Sequence, residues 1–185
     1  DNCSEAMTEF LLAQFGLSEH DLYRVVGPVN LVRLMQVPDW VDRPDMKFLP
    51  FVPGLPKAVG KGMNIFDSIR KNDILLHHPY QSFAPVIELL NQAALDPQVV
   101  AIKMTVYRTG TDSVLMQSLI RAAQNGKEVT VVVELMARFD EEANISWATK
   151  LEDVGAHVVY GVVGYKTHAK ALLIVRREEG GLKRY

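Results

Sequence analysis

The stretch Gly164–Val175, GYKTHAKALLIV, sets a histidine and a lysine two residues apart at the mouth of an apolar run. Residues i and i+2 of an extended segment point to the same face, so the His168 imidazole and the Lys170 ammonium would project together. An imidazole can act as a nucleophile toward phosphorus, and a fixed cation beside it would steady the surrounding oxygens. His-x-Lys also arises by chance, and His168 could be a loop histidine satisfied by a neighbouring carbonyl. Two arginines add weight to the chemical reading. Arg108 and Arg138 each follow a β-branched, apolar run, and guanidinium forks match phosphate oxygens. Either one alone also reads as a solvated surface arginine.

Other candidates carry less. His77 and His78 are adjacent, and neighbours on a strand point to opposite faces, which argues against a metal pair. The acids Asp140, Glu141 and Glu142 read most simply as first-turn acids that stabilise a helix N-terminus. The seven methionines fit core filling, and Cys3 has no partner thiol.

The elements that would position these residues follow from pattern. TEFLLAQF, Thr8 to Phe15, has helical spacing and stops at Gly16. Ser18 and Asp21 form a capping-box pair, LYRVVG reads as a strand, and NLVRLMQV as a short helix stopped by Pro38. Val41 to Gly62 holds four prolines and three glycines with little periodicity, so it reads as an extended linker containing the domain boundary. Thereafter the grammar is regular. A short helix NIFDSIRKN precedes a strand from Ile74 to His77, and a helix capped by Ser82 runs to Ala94 with Pro85 in its first turn. Strand Val99–Tyr107, helix Ser113–Asn125, strand Glu128–Leu135, helix Glu141–Asp153 and strand HVVY follow. The final AKALLIVRREEGGLKRY reads as a hairpin turning at Gly180-Gly181.

Strand–helix alternation with strands apolar on both faces predicts an α/β fold with a mostly parallel sheet flanked by helices. Ligands gather at the carboxyl ends of strands in such sheets. Reading those ends collects His77, His78 and Tyr80; Tyr107, Arg108, Thr109, Gly110, Thr111 and Asp112; Glu134, Arg138, Asp140, Glu141 and Glu142; and Tyr165, Lys166, His168 and Lys170. Cations and hydrogen-bonding groups on one edge make an anion site, and a phosphate site in particular.

Composition bounds the rest. In 185 residues, 48% are hydrophobic, enough for a sizeable core. A net charge of −2 lacks the basic excess of a general nucleic-acid binder. The single cysteine excludes an intramolecular disulfide framework and fits a reducing compartment. No apolar run approaches the ~20 residues of a membrane span, and no signal-peptide pattern opens the chain, so the expectation is a cytoplasmic protein. The chain starts without Met and stops in a strand-like LKRY, as a piece of a longer polypeptide would.

AIKMTVYRTGTDS, VTVVVELMARFDEEANISWA and GYKTHAKALLIVRR together resemble polyphosphate kinase of the long, histidine-phosphorylated type. The resemblance runs from about Asn64 to Tyr185 and more loosely through the first 50 residues. It implies a phospholipase-D-like fold preceded by the end of an α-rich domain: residues 1–54 as the tail of a helical head domain with its linker, and 55–185 as an incomplete first catalytic domain. It further implies that His168 takes the γ-phosphoryl group of ATP and passes it to polyphosphate, with Lys170 neutralising charge in the transition state. Arg108 and Arg138 would lie at magnesium-bound phosphates; a guanidinium cannot ligate Mg2+, so both would act through phosphate oxygens. The implied partners are ATP, ADP and inorganic polyphosphate, not nucleic acid. The implied assembly is a homo-oligomer at full length, which leaves room for peripheral association with the inner membrane face. Tyr80 and Glu134 lie near these positions without an assigned role.

Nuclease and lipase members of the wider superfamily carry Asp five residues after the Lys, where this chain has Val175. That favours phosphoryl transfer over the alternative of a phospholipase-D-like phosphodiesterase or nuclease. A non-catalytic polyphosphate- or nucleotide-binding fragment is the other alternative. The residues given are expected to be inactive alone and, if cut inside their sheet, only marginally stable.

Overall fold

The computed structural model describes residues 3–60 and 62–185; Asp1, Asn2 and Lys61, the last within the expected linker, lie outside them. The chain forms two compact units, Asp1–Phe51 and Val52–Tyr185.

In the first unit, helix α1 spans Glu5–Phe15. The Ser4 side chain caps it by accepting the Met7 amide, and Gly16 closes it at φ 62°, a left-handed conformation that costs glycine little. The Ser18–Asp21 pair is present: one Asp21 carboxylate oxygen accepts both the Ser18 amide and its hydroxyl, each at 2.9 Å. Two expectations fail in this unit. Leu22–Gly27 forms no strand, and Tyr23 and Val26 are exposed, because an apolar run without a pairing edge has no ladder to join. Pro38 does not stop a helix but helps start one. A 3-10 turn over Leu31–Gln36 leads into α2, Val37–Trp40, whose first turn holds Pro38, where a missing N–H costs nothing.

The second unit is a mixed α/β layer structure. Helix α3, Ile65–Lys71, starts at Asn64, whose Oδ1 accepts the amides of Phe66 and Asp67. The predicted strand Ile74–His77 does not form. Its apolar run presses Ile74 on the core, but neither edge of the sheet pairs with it. Helix α4, Ala84–Leu95, carries Pro85 in its first turn, where the Ser82 hydroxyl accepts the Ala84 amide at 3.1 Å. Strand β1 (Val99–Val106), helix α5 (Val114–Gln124), strand β2 (Glu128–Val133), helix α6 (Glu141–Asp153) and strand β3 (His157–Tyr160) follow in alternation. Strands β4 (Leu172–Glu178) and β5 (Gly181–Arg184) complete the sheet.

The strand order is β3-β2-β1-β4-β5. Strands β1, β2 and β3 are parallel, joined by helical crossovers; β4 and β5 are antiparallel, since a two-residue link permits nothing else. The register sets Ile102, Met104 and Val106 beside Val129, Val131 and Val133, with Ile174 opposite Ile102. Alternation aims all of these at one face. There they meet Leu90, Ala93 and Ala94 of α4, Met116, Leu119 and Ala122 of α5, and Trp147, Ala148 and Leu151 of α6. Burying each large aliphatic side chain in this layer contributes roughly 1.5–3 kcal/mol. On the opposite face Lys103 is exposed, and Val132, Leu173 and Val175 are half-buried. The sheet thus delivers the carboxyl ends of β1 and β2, and the chain entering β4, to one edge.

Candidate functional site

The loop leaving β1 begins with Tyr107 and Arg108; the loop leaving β2 runs through Glu134 and Arg138 to α6; the segment entering β4 carries Lys166, His168 and Lys170. That segment is not strand before Leu172, yet it is fastened to β1. The Thr105 hydroxyl donates to the Ala169 carbonyl at 2.7 Å and accepts the Ala171 amide at 2.8 Å.

The first and third of these pieces converge on the ring of Tyr107. The His168 ring meets it edge-on, with centroids 4.6 Å apart and planes at 78°. The Lys170 ammonium stands 4.3 Å from the ring centre, the Arg108 guanidinium 5.1 Å and the Lys166 ammonium 5.6 Å. Contacts of this kind contribute about 0.5–2 kcal/mol each, depending on desolvation. Lys170 also donates to the His168 carbonyl at 2.6 Å, so lysine and histidine reach the same aromatic platform. Arg108 Nε donates to the Arg138 carbonyl at 3.2 Å, which ties the two arginine loops together and leaves the outer nitrogens of Arg108 to face a ligand. A cavity of about 630 Å³ opens beside this cluster. Phe83, Val86, Met104 and Leu115 form its apolar wall, and Arg108, His168 and Lys170 its polar one.

Two acids at this edge, Asp140 and Glu134, serve the backbone. Asp140 was expected to act on its own helix; instead its Oδ2 accepts the amides of Thr109 and Gly110, at 3.2 and 3.0 Å, and so holds the loop behind Arg108. Trp147 of α6 fastens the same loop by donating to the Gly110 carbonyl at 2.8 Å. Glu134 is 4% exposed. Its two oxygens accept the amides of Met136 at 2.9 Å and Thr167 at 2.6 Å, and these bonds hold its carboxyl below the usual glutamate range. Asn144, fully buried in α6, donates to the carbonyls of both Tyr107 and Glu134 at 2.9 Å and so clamps the ends of β1 and β2. Among the described residues, no ion pair reaches Arg108, Arg138, Lys166 or Lys170. The edge is thus cationic, with two nearby carboxylates turned onto backbone amides, and its chemistry suits an anion.

The structure therefore brings His168, Lys170 and Arg108 together around Tyr107, and ties Arg138 to them through its main-chain carbonyl. Among the described residues, no contact joins His77 or His78 to this cluster; the strand expected to carry them does not form, and the His78 ring packs on Phe83 of the cavity wall, with centroids 5.5 Å apart. His78 Nδ1 is engaged with the Gln81 carbonyl at 2.9 Å, and the His77 ring packs on Tyr80. Sequence reasoning placed Tyr107 at a strand end without a role and passed over Asn144. One signal was available for the latter: an asparagine on the same helical stripe as Trp147, Ala148 and Leu151 would be buried, and a buried amide needs partners.

Residues 64–185 match the family model described as polyphosphate kinase C-terminal domain 1. The chain belongs to this family. It is 67% identical over 179 residues to a polyphosphate kinase of Burkholderia multivorans, covering 95% of this chain and 26% of that protein. It is 62% identical over 185 residues to a polyphosphate kinase of Neisseria meningitidis serogroup A, covering 100% and 27%. The crystal structure of polyphosphate kinase from Porphyromonas gingivalis superposes with a TM-score of 0.65 at 36% identity, covering 86% of this chain and 26% of that one. The chain thus spans about a quarter of the length of the curated relatives it matches.

Proposed function

We propose that this chain is the part of an ATP–polyphosphate phosphotransferase that carries the covalent phosphoryl acceptor. The observation that supports this reading most is the meeting of an exposed imidazole with three cations, Arg108, Lys166 and Lys170, that form no ion pair among the described residues, in a chain of the polyphosphate kinase family. An imidazole nitrogen of His168 attacks the γ-phosphorus of ATP in line. The N–P bond forms as the bond to the β–γ bridging oxygen breaks, and ADP departs with that electron pair. A terminal oxygen of polyphosphate then attacks the phosphohistidine, the N–P electrons return to the imidazole, and the chain is longer by one phosphate. The transition state is loose and its charge sits on oxygens, so positioning and cations supply most of the acceleration. Arg108 and Arg138 grip those oxygens, and Lys170 neutralises charge beside His168.

Magnesium enters this reading with the nucleotide. Among the described residues no three histidine, cysteine or acidic side chains are grouped to hold a metal ion, and Glu134 and Asp140 both accept backbone amides. Arg108 and Arg138 would hold Mg-ATP through its phosphate oxygens. Residues 1–54 would be the end of a helical head domain and 55–185 the first phospholipase-D-like catalytic domain, with further site residues in the remainder of the enzyme. No helix among the described residues is long and apolar enough to cross a membrane. The reading extends to a cytoplasmic homo-oligomer whose association with the inner membrane face is peripheral.

The test is to incubate the full-length enzyme with γ-labelled ATP and magnesium and to map acid-labile, base-stable phosphate. Label on His168 that chases into polyphosphate, and that is lost in His168→Ala, is the expected result. ATP binding without label would overturn the covalent mechanism.

A further inference from the structure

Glu134 sits where the three functional segments meet. Its own amide extends the ladder by donating to the Val106 carbonyl at 2.9 Å, and its carbonyl receives Asn144. Its main chain is therefore fixed to β1, one residue from Tyr107, and to α6. Its side chain crosses to the segment entering β4, where Oε2 takes the amide of Thr167, the residue before His168, at 2.6 Å. Oε1 turns back to Met136 at the start of the loop that leads to Arg138. Both partners are donors, so the site needs two acceptor oxygens. A glutamine would set its own N–H2 against one amide N–H, leaving a partly buried donor without its acceptor. Each oxygen thus takes one backbone amide, and the side chain links two loops at once.

We propose that Glu134 is a positioning residue for phosphoryl transfer, holding the His168 segment in register with the arginine loops. This rests on the covalent reading of His168 given above. Loss of the brace misplaces the nucleophile while the arginines still bind the nucleotide, so its signature is a split between turnover and affinity. A displacement of about 1 Å at a nucleophile costs on the order of 100-fold in rate.

The test uses the full-length enzyme with Glu134→Gln and Glu134→Asp, measuring kcat, the KM for ATP and the rate of His168 labelling. In Glu134→Gln, kcat and labelling should both fall by about 100-fold with the KM for ATP changed less than about threefold. Glu134→Asp keeps two acceptors on a shorter arm and should recover part of that loss. Labelling at the wild-type rate in Glu134→Gln overturns the proposal, as does a KM that rises in step with the fall in kcat. Amide hydrogen exchange at Thr167 in the unaltered enzyme is read in parallel, independent of how well the variants fold. Slow exchange is expected; exchange at the rate of a free amide overturns the brace. Absence of label in the unaltered enzyme counts against the phosphohistidine instead, and the exchange readout then judges Glu134 alone.

Discussion

The two ends of the sheet both collect arginines, but they treat them in opposite ways. At the amino end of β1, Arg176 pairs with Asp96 at 2.8 Å and with Glu178 at 3.0 Å, and Arg70 reaches Glu178 at 2.9 Å. The Tyr185 hydroxyl donates to the same carboxylate, so one acid serves three donors. At the carboxyl end, Arg108, Arg138, Lys166 and Lys170 have no acid within ion-pairing distance among the described residues. Glu134 and Asp140 lie there, but they are turned inward onto backbone amides. The same residue types thus make a closed clamp at one end and a set of cations without ion pairs at the other. The difference lies in where the carboxylates are spent.

Substitutions at the open end should break function without breaking the fold. Arg108→Ala and Arg138→Ala should each lower kcat/KM by roughly 100- to 1,000-fold in the full-length enzyme, as loss of a cation that meets developing phosphate charge does. Neither should change the melting temperature by more than a few degrees, since neither is paired with an acid. Steady-state kinetics and a thermal scan on the same samples check both halves. A large fall in melting temperature with intact kcat/KM would erase the contrast between the two ends.

The closed end should respond the other way. Glu178→Gln should lower the melting temperature by about 3–5 °C and leave kcat/KM within twofold. Its three donors hold the Glu178 carboxyl down at about 2, far below the usual glutamate value, the Tyr185 hydroxyl counting most. A carboxylate whose folded pKa is depressed adds stability that is present above the unfolded value, near 4.5, and is lost as pH falls toward about 2. Stability measured by urea unfolding should therefore fall more steeply from pH 4.5 to 2 in the unaltered chain than in Glu178→Gln. Parallel pH profiles would remove Glu178 from the account.

The smallest expected effect sharpens the open end itself. Inorganic tripolyphosphate should raise the melting temperature of the 185-residue chain by about 1–2 °C at low salt, with the shift fading near 0.5 M salt as the site's charges are screened. Arg108→Ala combined with Arg138→Ala should abolish the shift. An equal shift in that double variant would place the anion elsewhere.

Much of this protein can be read from pattern, because the decisive forces are local. Asn64, Ser113 and Gly16 announce their helix ends, and the β-branched runs at Val99 and Glu128 have no comfortable alternative to a buried strand. The spacing in GYKTHAKALLIV sets the histidine at a strand entrance with the lysine beside it, which follows from the period of an extended chain. What local pattern cannot say is whether an edge exists to receive a run. Ile74–His77 and Leu22–Gly27 both look like strands, and neither pairs, since pairing is settled by residues far away in sequence. Nor could spacing show that Tyr107 is the common platform for His168 and three cations, or that Glu134 reaches across 33 positions to the amide before His168. The residue types and their order fixed which chemistry was within reach. Only the fold of the chain, bringing β1, β2 and the entrance of β4 to one edge, decided which acids are spent on the backbone and which cations are left for a ligand.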